Sequence, residues 1–441
     1  MMHLPSYVRT CLDMLESAGF AAYAVGGCVR DSLLGLTPHD FDLCTAATPE
    51  QLRQVFSEYR LVLAGEKHGT VTVVTDDRLV EITTFRLEGG YQDNRHPDWV
   101  KFVPSVEEDL SRRDFTVNAM AYSPTRGFAD PFGGREDLEQ KILRAVGQPA
   151  VRFTEDSLRI LRGLRFSVRY GLTPEKATWE AMLAQAPLME NLARERVFDE
   201  LCKLLPLVNA KELTSFAPIL CQVLPELQPM VGFSQHSRHH AYDLLEHTAR
   251  VVEGVPPQLH LRWAALLHDV GKPGLCVIDP QGEGHYHGHA KESARLADAA
   301  LLRLKSPTGL RKQVVDLISR HMSPLEPDKH LLRRRLGKYG IPETMDLLNL
   351  QKADYFATGT KPAPGPFPEI ARLIEEILEE AACFSIRDLA IDGNDLLALG
   401  FASGPKLGKC LAQLLRLVQE DVLPNEKTAL LKKAKELENL L

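Results

Sequence analysis

A short glycine-containing motif near the amino terminus constrains the fold and chemistry of this chain more than any other feature. Ala24–Asp31 places an apolar strand before a Gly26-Gly27 turn and a short helix that carries Arg30. Glycine has no Cβ, so the backbone can come close to a ligand. Backbone N–H groups at a helix start, together with an arginine, suit a triphosphate. We therefore predict that Gly26, Gly27 and Arg30 bind phosphate.

A pair of aspartates follows this turn, with Asp40 and Asp42 on either side of Phe41. If Phe41 lies in a strand, both carboxylates point to the same side, since side chains alternate along a strand. Adjacent carboxylates repel each other unless a cation lies between them, and Mg²⁺ is commonly held by one or two carboxylates plus substrate phosphates. Two such ions suit in-line attack at phosphorus. Each motif alone is common, but together they predict a Mg²⁺-dependent nucleotide site. The chain has no Gly-x-x-x-x-Gly-Lys sequence, which excludes a P-loop enzyme.

Glu81 is a further candidate for the same metal site. Val71–Thr75 and Leu79–Phe85 are rich in β-branched residues and are separated by a polar turn, which predicts a β-hairpin. Glu81 lies in the second strand of this hairpin. It is either a third carboxylate near the aspartate pair or a solvent-facing residue of a half-buried strand, and the sequence leaves both alternatives open.

Length and composition indicate a multidomain globular protein. The chain has 441 residues, too many for one hydrophobic core. Its formal net charge is −7, so any contact with RNA must use local basic patches. The eight cysteines include no Cys-x-x-Cys pair, and Met1–Phe20 lacks the apolar core of a signal peptide, which predicts reduced thiols and a cytoplasmic location. No apolar run has the length of a membrane span, so no membrane partner is predicted.

Strand signals concentrate in the first third of the chain, where Ala22–Val25 is a predicted strand and Thr48-Pro49-Glu50 a predicted capped helix start. Helical patterns follow, which predicts an α+β fold. The expected regions are a head of mixed β-sheet and helices over residues 1–150, a helical neck over 151–235, a histidine-rich helical region over 236–360 and a helical tail over 361–441.

Arg112–Met120 is a candidate for contacts with a nucleotide. It sets two cations, an acid and an amide against an apolar helix. These groups have the donors and acceptors to hydrogen-bond a ribose and to hold phosphate. Alternatively, they are surface ions at a helix N-terminus, and the two interpretations are about equally good.

A helix that we expect from Glu155, capped by Thr154, is the candidate for reading a base. Glu155, Arg159 and Arg162 fall on one helical face, and Asp156 lies one turn from Arg159. Such a pair can read a Watson–Crick edge, because arginine donates and aspartate accepts from an exocyclic amine. Taken alone, the pattern is more typical of a surface salt bridge beside an arginine stripe.

Histidines and aspartates cluster in the region from residue 236 onward. Their nitrogen and oxygen donors suit a divalent transition metal or Mg²⁺. Fifteen histidines with this clustering are too concentrated to be scattered surface residues. The predicted ligands of a first ion are His247, His268, Asp269 and Asp354, and those that complete the site for a second ion are His289 and His321. His289 is expected in a glycine-rich loop.

These motifs, in this order, resemble those of the bacterial class II tRNA nucleotidyltransferases, the family of the CCA-adding enzymes and bacterial poly(A) polymerases. The resemblance rests on the Gly-Gly-x-Val-Arg-Asp motif, the Asp-x-Asp pair, Arg112–Met120 and the Glu-Asp-x-x-Arg motif, and it spans residues 5–230. The residues around His268-Asp269 resemble an HD-superfamily phosphohydrolase domain, as in the CCA-adding enzymes that carry one.

The resemblance implies template-independent addition of CCA to the 3′ end of tRNA, from CTP and ATP, by two-metal nucleotidyl transfer. Asp40 and Asp42 would hold two Mg²⁺ ions and activate the 3′ hydroxyl, and Gly26, Gly27 and Arg30 would hold the triphosphate. The implied contacts with the ribose and phosphates are Arg113, Asp114 and Asn118. Asp156 and Arg159 would read cytosine or adenine, with Glu155 orienting Arg159 and Arg162 on the same nucleotide-binding face.

Three further expectations follow from the resemblance. The HD region would be a second centre that hydrolyses phosphomonoesters or 2′,3′-cyclic phosphates. The segment Phe85–Leu110 matches the flexible loop that such enzymes need to switch from C to A, which argues against an enzyme that adds CC only. The tail is a candidate for tRNA binding.

Three alternatives remain open at this point. The first is a poly(A) polymerase or an A-adding tRNA nucleotidyltransferase, which shares the head and its chemistry. The second is an HD phosphohydrolase whose head only binds RNA, although the intact Asp40 and Asp42 pair speaks against it. The third is a regulator that binds nucleotides without turnover.

Overall fold

The computed structural model describes residues 2–75, 78–90, 99–360, 364–380, 386–420 and 422–438. The backbone forms two compact units. The first runs to Val208 and includes Ser215–Pro225, and the second consists of Asn209–Thr214 and the chain from Glu226 onward. Strands concentrate in the first unit and the second is almost entirely helical, which confirms the predicted α+β fold. The finer division into head, neck, HD region and tail stays a prediction.

The first unit contains one large β-sheet and two small strand pairs within its described residues. Its strands are β1 (Ala22–Val25), β2 (Asp42–Thr45), β3 (Arg60–Val62), β4 (Thr70–Thr75), β5 (Arg78–Thr84), β6 (Arg86–Gly89), β7 (Trp99–Phe102), β8 (Ala121–Ser123), β9 (Gly127–Ala129), β10 (Ile142–Leu143) and β11 (Thr173–Pro174).

The large sheet has the strand order β3-β4-β5-β2-β1-β8-β9. Neighbouring strands run antiparallel except β2 and β5, which are parallel. The register of this parallel pair places Asp42 directly beside Glu81. Along β4 every second residue is buried, as expected for a strand with one face on the core. The sheet thus brings the two predicted carboxylates to adjacent strands.

The helices of the first unit surround this sheet and continue beyond it. They are α1 (Ser6–Ser17), α2 (Gly27–Leu33), α3 (Pro49–Val55), α4 (Val106–Ser111), α5 (Gly134–Glu139), α6 (Pro149–Glu155), α7 (Leu158–Tyr170), α8 (Lys176–Gln185) and α9 (Arg194–Leu204). A further helix, α10 (Ala210–Val223), contributes residues to both units.

The second unit is built from helices and one short strand pair. Its helices are α11 (Leu244–Gly254), α12 (Leu259–Leu267), α13 (His289–Arg303), α14 (Thr308–Arg320), α15 (Lys329–Tyr339), α16 (Ile341–Ala357), α17 (Phe367–Glu379), α18 (Gly393–Ala398), α19 (Pro405–Gln419) and α20 (Lys427–Glu438), and its strands are β12 (Val277–Ile278) and β13 (Gly284–His285). In the described part of the chain, no helix combines the length and apolar character needed to cross a bilayer.

Several local predictions are confirmed. The strand Ala22–Val25 has the predicted bounds, and β4 and β5 pair as the predicted hairpin, whose turn residues 76–77 lie outside the described residues. Thr48 begins α3 with a capping box, because its hydroxyl accepts from the Gln51 backbone N–H at 3.4 Å. The Gln51 side chain accepts from the Thr48 N–H at 2.8 Å in return. Such reciprocal caps satisfy backbone donors that the helix itself leaves unpaired.

Two local predictions are wrong. Strand β2 begins at Asp42, so Phe41 lies before the strand, where its side chain is buried. The continuous helix from Glu155 does not form, because α6 ends at Glu155 and the backbone is extended at Asp156 (φ −142°, ψ 98°). Thr154 therefore does not cap a helix; its hydroxyl donates to the Ala150 carbonyl within α6 at 2.8 Å. The break has a packing reason, since α6 packs on α8 whereas α7 packs on α9.

Candidate active site

A cleft of about 630 Å³ in the first unit collects most of the residues predicted to bind a nucleotide. Within that set, Glu81 and Glu155 do not line it. The lining residues are Gly26, Gly27, Cys28, Arg30, Asp31, His39, Asp40, Asp42, Arg112, Arg113, Asp114, Asn118, Asp156, Arg159, Arg162, Arg165, Phe166, Arg169, Tyr170 and Arg196. The cleft is thus rich in arginine, with a smaller group of carboxylates at the sheet.

The turn between β1 and α2 requires glycine at Gly26. Its φ is +76°, a left-handed backbone conformation that side chains disfavour. A Cβ at this position would also lie 2.8 Å from Arg113 Nη1. The Gly26 N–H donates to the Met120 carbonyl at 3.0 Å, which ties the turn to the segment before β8. The absent side chain therefore leaves room for the Arg113 guanidinium beside the turn.

The Arg30 side chain is largely occupied by contacts within the protein. It is buried, and its guanidinium donates to Asp31 Oδ1 from Nε at 2.9 Å and from Nη2 at 2.7 Å. It also donates to Asn118 Oδ1 and to the Tyr170 hydroxyl. These bonds use four of the five N–H groups of an arginine. Arg30 therefore has at most one Nη1 N–H left for a phosphate.

Three carboxylates gather at the sheet side of the cleft. Desolvation raises the pKa of Asp42, and the neighbouring Glu81 and Asp40 raise it further, while Arg113 lowers it. This mutual repulsion is what a bound cation would relieve, and oxygen-only donors suit Mg²⁺. Asp40, Asp42 and Glu81 therefore fit a divalent metal site. The register of β2 and β5 pairs Glu81 with Asp42, and Glu81 is exposed, so both alternatives for Glu81 stay open.

Asp114 is held in a buried ion pair with Arg162. Arg162 donates to Asp114 Oδ2 from Nε at 2.9 Å and from Nη2 at 2.6 Å. Asp114 Oδ1 accepts from Asn118 Nδ2 at 3.0 Å and from the Phe115 N–H at 2.8 Å. Burial alone would raise the pKa of Asp114, but Arg162 and the Asn118 hydrogen bond hold it at about 2. Asp114 therefore remains an ionised acceptor at the cleft wall.

Arg113 lines the cleft beside the Gly-Gly turn and is incompletely paired among the described residues. Its Nη2 lies 3.5 Å from Asp109 Oδ2, a weak contact, and its Nε is buried without a hydrogen-bond partner. Arg112 instead donates to Asp109 Oδ1 from Nη2 at 2.8 Å and from Nε at 3.0 Å. Burial alone would lower the pKa of Arg112, but Asp109 and Glu88 raise it above its ordinary value. Asp109, which the sequence did not single out, thus anchors both arginines at the cleft.

Arg159 and Asp156 line the cleft, and each has its own holding partner. Arg159 Nη1 donates to Glu155 Oε2 at 2.9 Å and to the Arg152 carbonyl at 3.2 Å, and its Nη2 donates to the Arg112 carbonyl at 3.1 Å. The contact between Glu155 and Arg159 agrees with an orienting role for Glu155. Asp156 makes no ion pair with Arg159 among the described contacts; its partner is Arg196 in α9, at 2.9 Å from Oδ2.

A second cluster, in the other unit, contains the predicted histidine and aspartate ligands. Two groups form, each with its ligand atoms within 4.8 Å of one another: His247, His268 and Asp354, and then Asp269, His289 and His321. Asp269 Oδ2 lies 3.1 Å from His268 Nε2, and Asp269 Oδ1 lies 3.4 Å from His289 Nε2. Asp269 thus faces both groups. His289 is not in a loop as expected, because it begins α13.

The histidine geometry fits metal ions. In three histidines Nδ1 forms a hydrogen bond with a backbone carbonyl. His268 bonds to Ala265 at 2.8 Å, His289 to Tyr286 at 2.8 Å and His321 to Ile318 at 2.7 Å. This leaves Nε2 as the ligand atom, the usual arrangement in metal sites. His268 Nε2 and both Asp269 oxygens are buried without a well-oriented hydrogen bond. Such unsatisfied buried groups call for a missing partner, and metal ions would supply it.

In this cluster the aspartates carry negative charge, and the neighbouring histidines and a lysine offset it. Burial alone would lower the pKa of His268, but Asp269 raises it above its ordinary value. Burial lowers the pKa of His321 to about 4, which keeps this imidazole neutral as a metal ligand requires. Lys272 Nζ lies 2.7 Å from Asp269 Oδ2 and supplies the nearest fixed positive charge.

Comparisons with known proteins identify the family. The family described as "Poly A polymerase head domain" matches residues 22–144, "Probable RNA and SrmB- binding site of polymerase A" matches 171–212 and "tRNA nucleotidyltransferase domain 2 putative" matches 290–434. A CCA-adding enzyme of Latilactobacillus sakei is 35% identical over 96% of both chains, and one of Streptococcus mutans is 34% identical over 98% of both. The chain belongs to the CCA-adding enzyme family. The resemblance inferred from its motifs is thereby confirmed at this level.

Solved structures agree with this assignment. The Bacillus stearothermophilus CCA-adding enzyme in complex with CTP covers 99% of both chains, with a TM-score of 0.73 and 27% identity. A Thermotoga maritima CCA-adding enzyme complexed with tRNA has a TM-score of 0.61 over 98% of this chain and 96% of its own, at 20% identity, and shares the fold. Nucleotidyltransferases of the CCA-adding enzyme family use a divalent metal, typically Mg²⁺, and the head carboxylates described above fit that requirement.

Tyr170 and Arg196 are among the cleft residues of this CCA-adding enzyme family member that the sequence reasoning missed. Tyr170 is the last residue of α7 and contacts Arg30, and Arg196 lies in the first turn of α9 and contacts Asp156. Arg196 belongs to a short charged run, Arg194-Glu195-Arg196, that would equally suit a solvated helix start. Neither residue carries a local signal that points to its partner.

Proposed function

We propose that this member of the CCA-adding enzyme family adds CCA to the 3′ end of tRNA, using CTP and ATP. The observation that carries the proposal is the cleft itself, where the carboxylate group of Asp40 and Asp42 lies with the base-reading candidates Asp156 and Arg159. Phosphoryl transfer and base choice thus have their chemistry in one space of about 630 Å³. The names of the relatives and the CTP complex of the Bacillus stearothermophilus enzyme support the same reaction.

The phosphate and metal contacts follow from the geometry of the cleft. Asp40 and Asp42, with Glu81 beside them, would hold Mg²⁺, which when bound neutralises phosphate charge and favours ionisation of the attacking hydroxyl. Arg113 supplies the incompletely paired guanidinium for the triphosphate, and Gly26 lets the backbone lie beside it. The tRNA 3′ oxygen then bonds to the α-phosphorus, and pyrophosphate leaves. Arg30 acts chiefly by holding the turn and Asn118 in place.

Base selection follows from what cytosine and adenine share. Both present an exocyclic amino donor beside a ring nitrogen acceptor. Asp156 accepts from the amine and Arg159 donates to the ring nitrogen, so one pair reads both bases. Glu155 orients Arg159, and Arg162 holds Asp114 for contact with the ribose. The switch from C to A is assigned to the segment 85–110, of which residues 91–98 lie outside the described residues.

A primer-extension assay tests this function. Purified protein receives Mg²⁺ and a tRNA transcript that ends at the discriminator base, with CTP alone, ATP alone, or both. Growth by two residues with CTP and by a final one with ATP is the expected result. Long A tails with ATP alone would indicate a poly(A) polymerase. A single A added only to a transcript that ends in CC would indicate an A-adding enzyme. If the protein binds nucleotide but does not extend the transcript, the result would favour a regulator that binds nucleotides without turnover.

The His and Asp cluster favours a second function, metal-dependent hydrolysis of phosphomonoesters or 2′,3′-cyclic phosphates. Its support is the pair of buried ligand groups and their unsatisfied atoms. The test supplies Mn²⁺, Ni²⁺ or Co²⁺ and measures hydrolysis of 2′,3′-cyclic AMP and a phosphomonoester. Untouched substrates with all three metals would contradict it. A double Asp40→Asn, Asp42→Asn variant should lose nucleotide addition and keep hydrolysis.

A cytoplasmic location goes with a tRNA substrate and stays a prediction. The cysteines of the described residues make no disulfides, as the expected reduced thiols require.

A further inference from the structure

We propose that Arg196 is a specificity-determining residue for base choice, because it positions the Asp156 carboxylate that accepts from the base amine. The inference rests on the proposed nucleotide addition and deepens it. Arg196 Nη2 donates to Asp156 Oδ2 at 2.9 Å, and Nη1 donates to Oδ1 at 3.4 Å. A two-point contact between a guanidinium and a carboxylate sets the plane of the carboxylate as well as its position.

The Asp156 carboxylate needs an external holder because its own segment restrains only one of its two oxygens. It lies in the extended break between α6 and α7, and not within a helix. Its Oδ1 accepts from the Leu158 N–H at 3.1 Å, which fixes one oxygen only. Arg196 is the contact that orients Oδ2, the oxygen with a lone pair still available. Without Arg196 the carboxylate can rotate about its own Cβ–Cγ bond.

The two base-reading residues are held independently of each other. Arg159 is positioned by Glu155 and by the carbonyls of Arg152 and Arg112, all outside α9. Asp156 depends on Arg196 of α9. Loss of Arg196 should therefore disturb the Asp156 acceptor and leave the Arg159 donor in place. This predicts a specific kind of error in base selection.

That error is a loss of discrimination between cytosine and uracil. The two bases differ at position 4, where cytosine carries an amino donor and uracil a carbonyl acceptor. A fixed carboxylate attracts the first and repels the second. A carboxylate that can turn away removes the penalty for uracil more than it weakens the contact with cytosine.

Helix α9 has its own attachment, so removal of Arg196 should not displace it. Arg165 Nε of α7 donates to Glu200 Oε2 of α9 at 2.7 Å in a buried ion pair. Val197 and Leu201 of α9 are also fully buried. Arg196 itself is partly exposed at the cleft.

The experiment measures the ratio of kcat/KM for CTP to that for UTP on a tRNA transcript that lacks CCA. We expect Arg196→Ala to lower this ratio about tenfold, within the range for loss of one oriented base contact. The ratio for Arg196→Lys should lie between those of the wild type and of Arg196→Ala, because an ammonium keeps the charge but cannot make the two-point contact. Arg194→Ala is the matched control, since Arg194 lies on the same helix and donates only to the Glu190 carbonyl among the described contacts.

A double-mutant comparison separates positioning from a merely structural effect. In an Asp156→Ala background, Arg196→Ala should change the ratio by less than about twofold, because its target is already gone. An equal fall in both backgrounds, or an unchanged ratio in Arg196→Ala with an intact fold by circular dichroism, would overturn the proposal. Equilibrium binding of CTP and UTP gives the same ratio without extension. If the wild type prefers CTP in binding but adds nothing, the proposed function fails and the role of Arg196 is still decided.

Discussion

The guanidinium of Arg30 lies against the ring of Tyr170, with 4.1 Å between the Arg30 Cζ atom and the ring centroid. The two residues are 140 positions apart in the chain, and the same guanidinium donates to the Tyr170 hydroxyl. Arg30 lies in α2, beside the Gly-Gly turn, and Tyr170 ends α7, the helix that carries Arg159. This contact links the Gly-Gly turn to the helix that carries Arg159 within one unit of the protein.

The first prediction concerns this contact. Tyr170→Phe keeps the ring and removes the hydroxyl, and we expect it to raise the KM for CTP about fivefold, since a hydrogen bond to a charged group is lost. Tyr170→Leu also removes the cation–π contact and should raise KM about thirtyfold. In both variants kcat should change little, because the carboxylates are untouched. Tyr23→Phe, on β1 outside the cleft lining, is the control. A fall in kcat at constant KM would contradict this account.

The second prediction concerns Gly26. Alanine there must adopt φ near +76° and place its Cβ against Arg113 Nη1, so both backbone strain and displacement of the guanidinium are expected. Gly35→Ala is a matched control, because Gly35 has φ +71° with no atom within 4 Å of a built Cβ. Each variant should lose about 1–3 kcal/mol of stability from the backbone alone. Only Gly26→Ala should lose nucleotide addition; equal activity in the two variants would be evidence against the role of Arg113.

The third prediction is a pH dependence of stability from Asp114. Its pKa is lowered from 3.8 to about 2 in the folded state, so its contribution is fully present above pH 5 and is lost as the pH falls through about 2. Asp114→Asn should reduce the free energy of unfolding at pH 7 by about 2 kcal/mol. The difference from the wild type should shrink as the pH drops below 4. Urea unfolding at pH 7, 4 and 3 measures it, with the exposed Asp13→Asn as control. A difference that is constant with pH would refute the assignment.

The fourth prediction concerns metal content. His268→Ala removes a buried imidazole whose Nε2 lies 3.1 Å from Asp269, and it should weaken binding of Mn²⁺ or Ni²⁺ more than about 100-fold. His285→Ala is the control, because His285 is exposed and pairs with Asp279. Metal content after dialysis, measured by mass spectrometry, distinguishes the two. His268→Ala should keep nucleotide addition at the wild-type rate, and equal metal content in both variants would speak against the cluster as a metal site.

Local sequence patterns predicted much of the first unit. The strand Ala22–Val25, the glycine turn and the capped start of α3 each follow from a few adjacent residues, because steric limits on glycine and unpaired N–H groups act over one turn. The β-branched runs Val71–Thr75 and Leu79–Phe85 likewise predicted two paired strands. Most of the residues predicted for the candidate site line one cleft, and their roles stay predictions.

The break at Asp156 shows where such reasoning fails. Residues 153–169 have a continuous helical pattern, yet the backbone is extended at Asp156. Periodicity indicates which face of a helix is apolar. It does not indicate that α6 packs on α8 whereas α7 packs on α9. Tertiary packing outweighs the modest helical preference of one or two residues.

The sequence by itself determined the family motifs, the residue types at the cleft and the histidine cluster, because these depend on short-range order along the chain. Only the tertiary structure decided which side chains share a contact. Asp42 lies beside Glu81 through sheet register, Asp156 is held by Arg196, Arg30 by Tyr170, and Asp269 faces both histidine groups. Each pair joins segments distant in the chain, or sets a side-chain direction, and such contacts arise from the packing of whole elements, which no local pattern encodes.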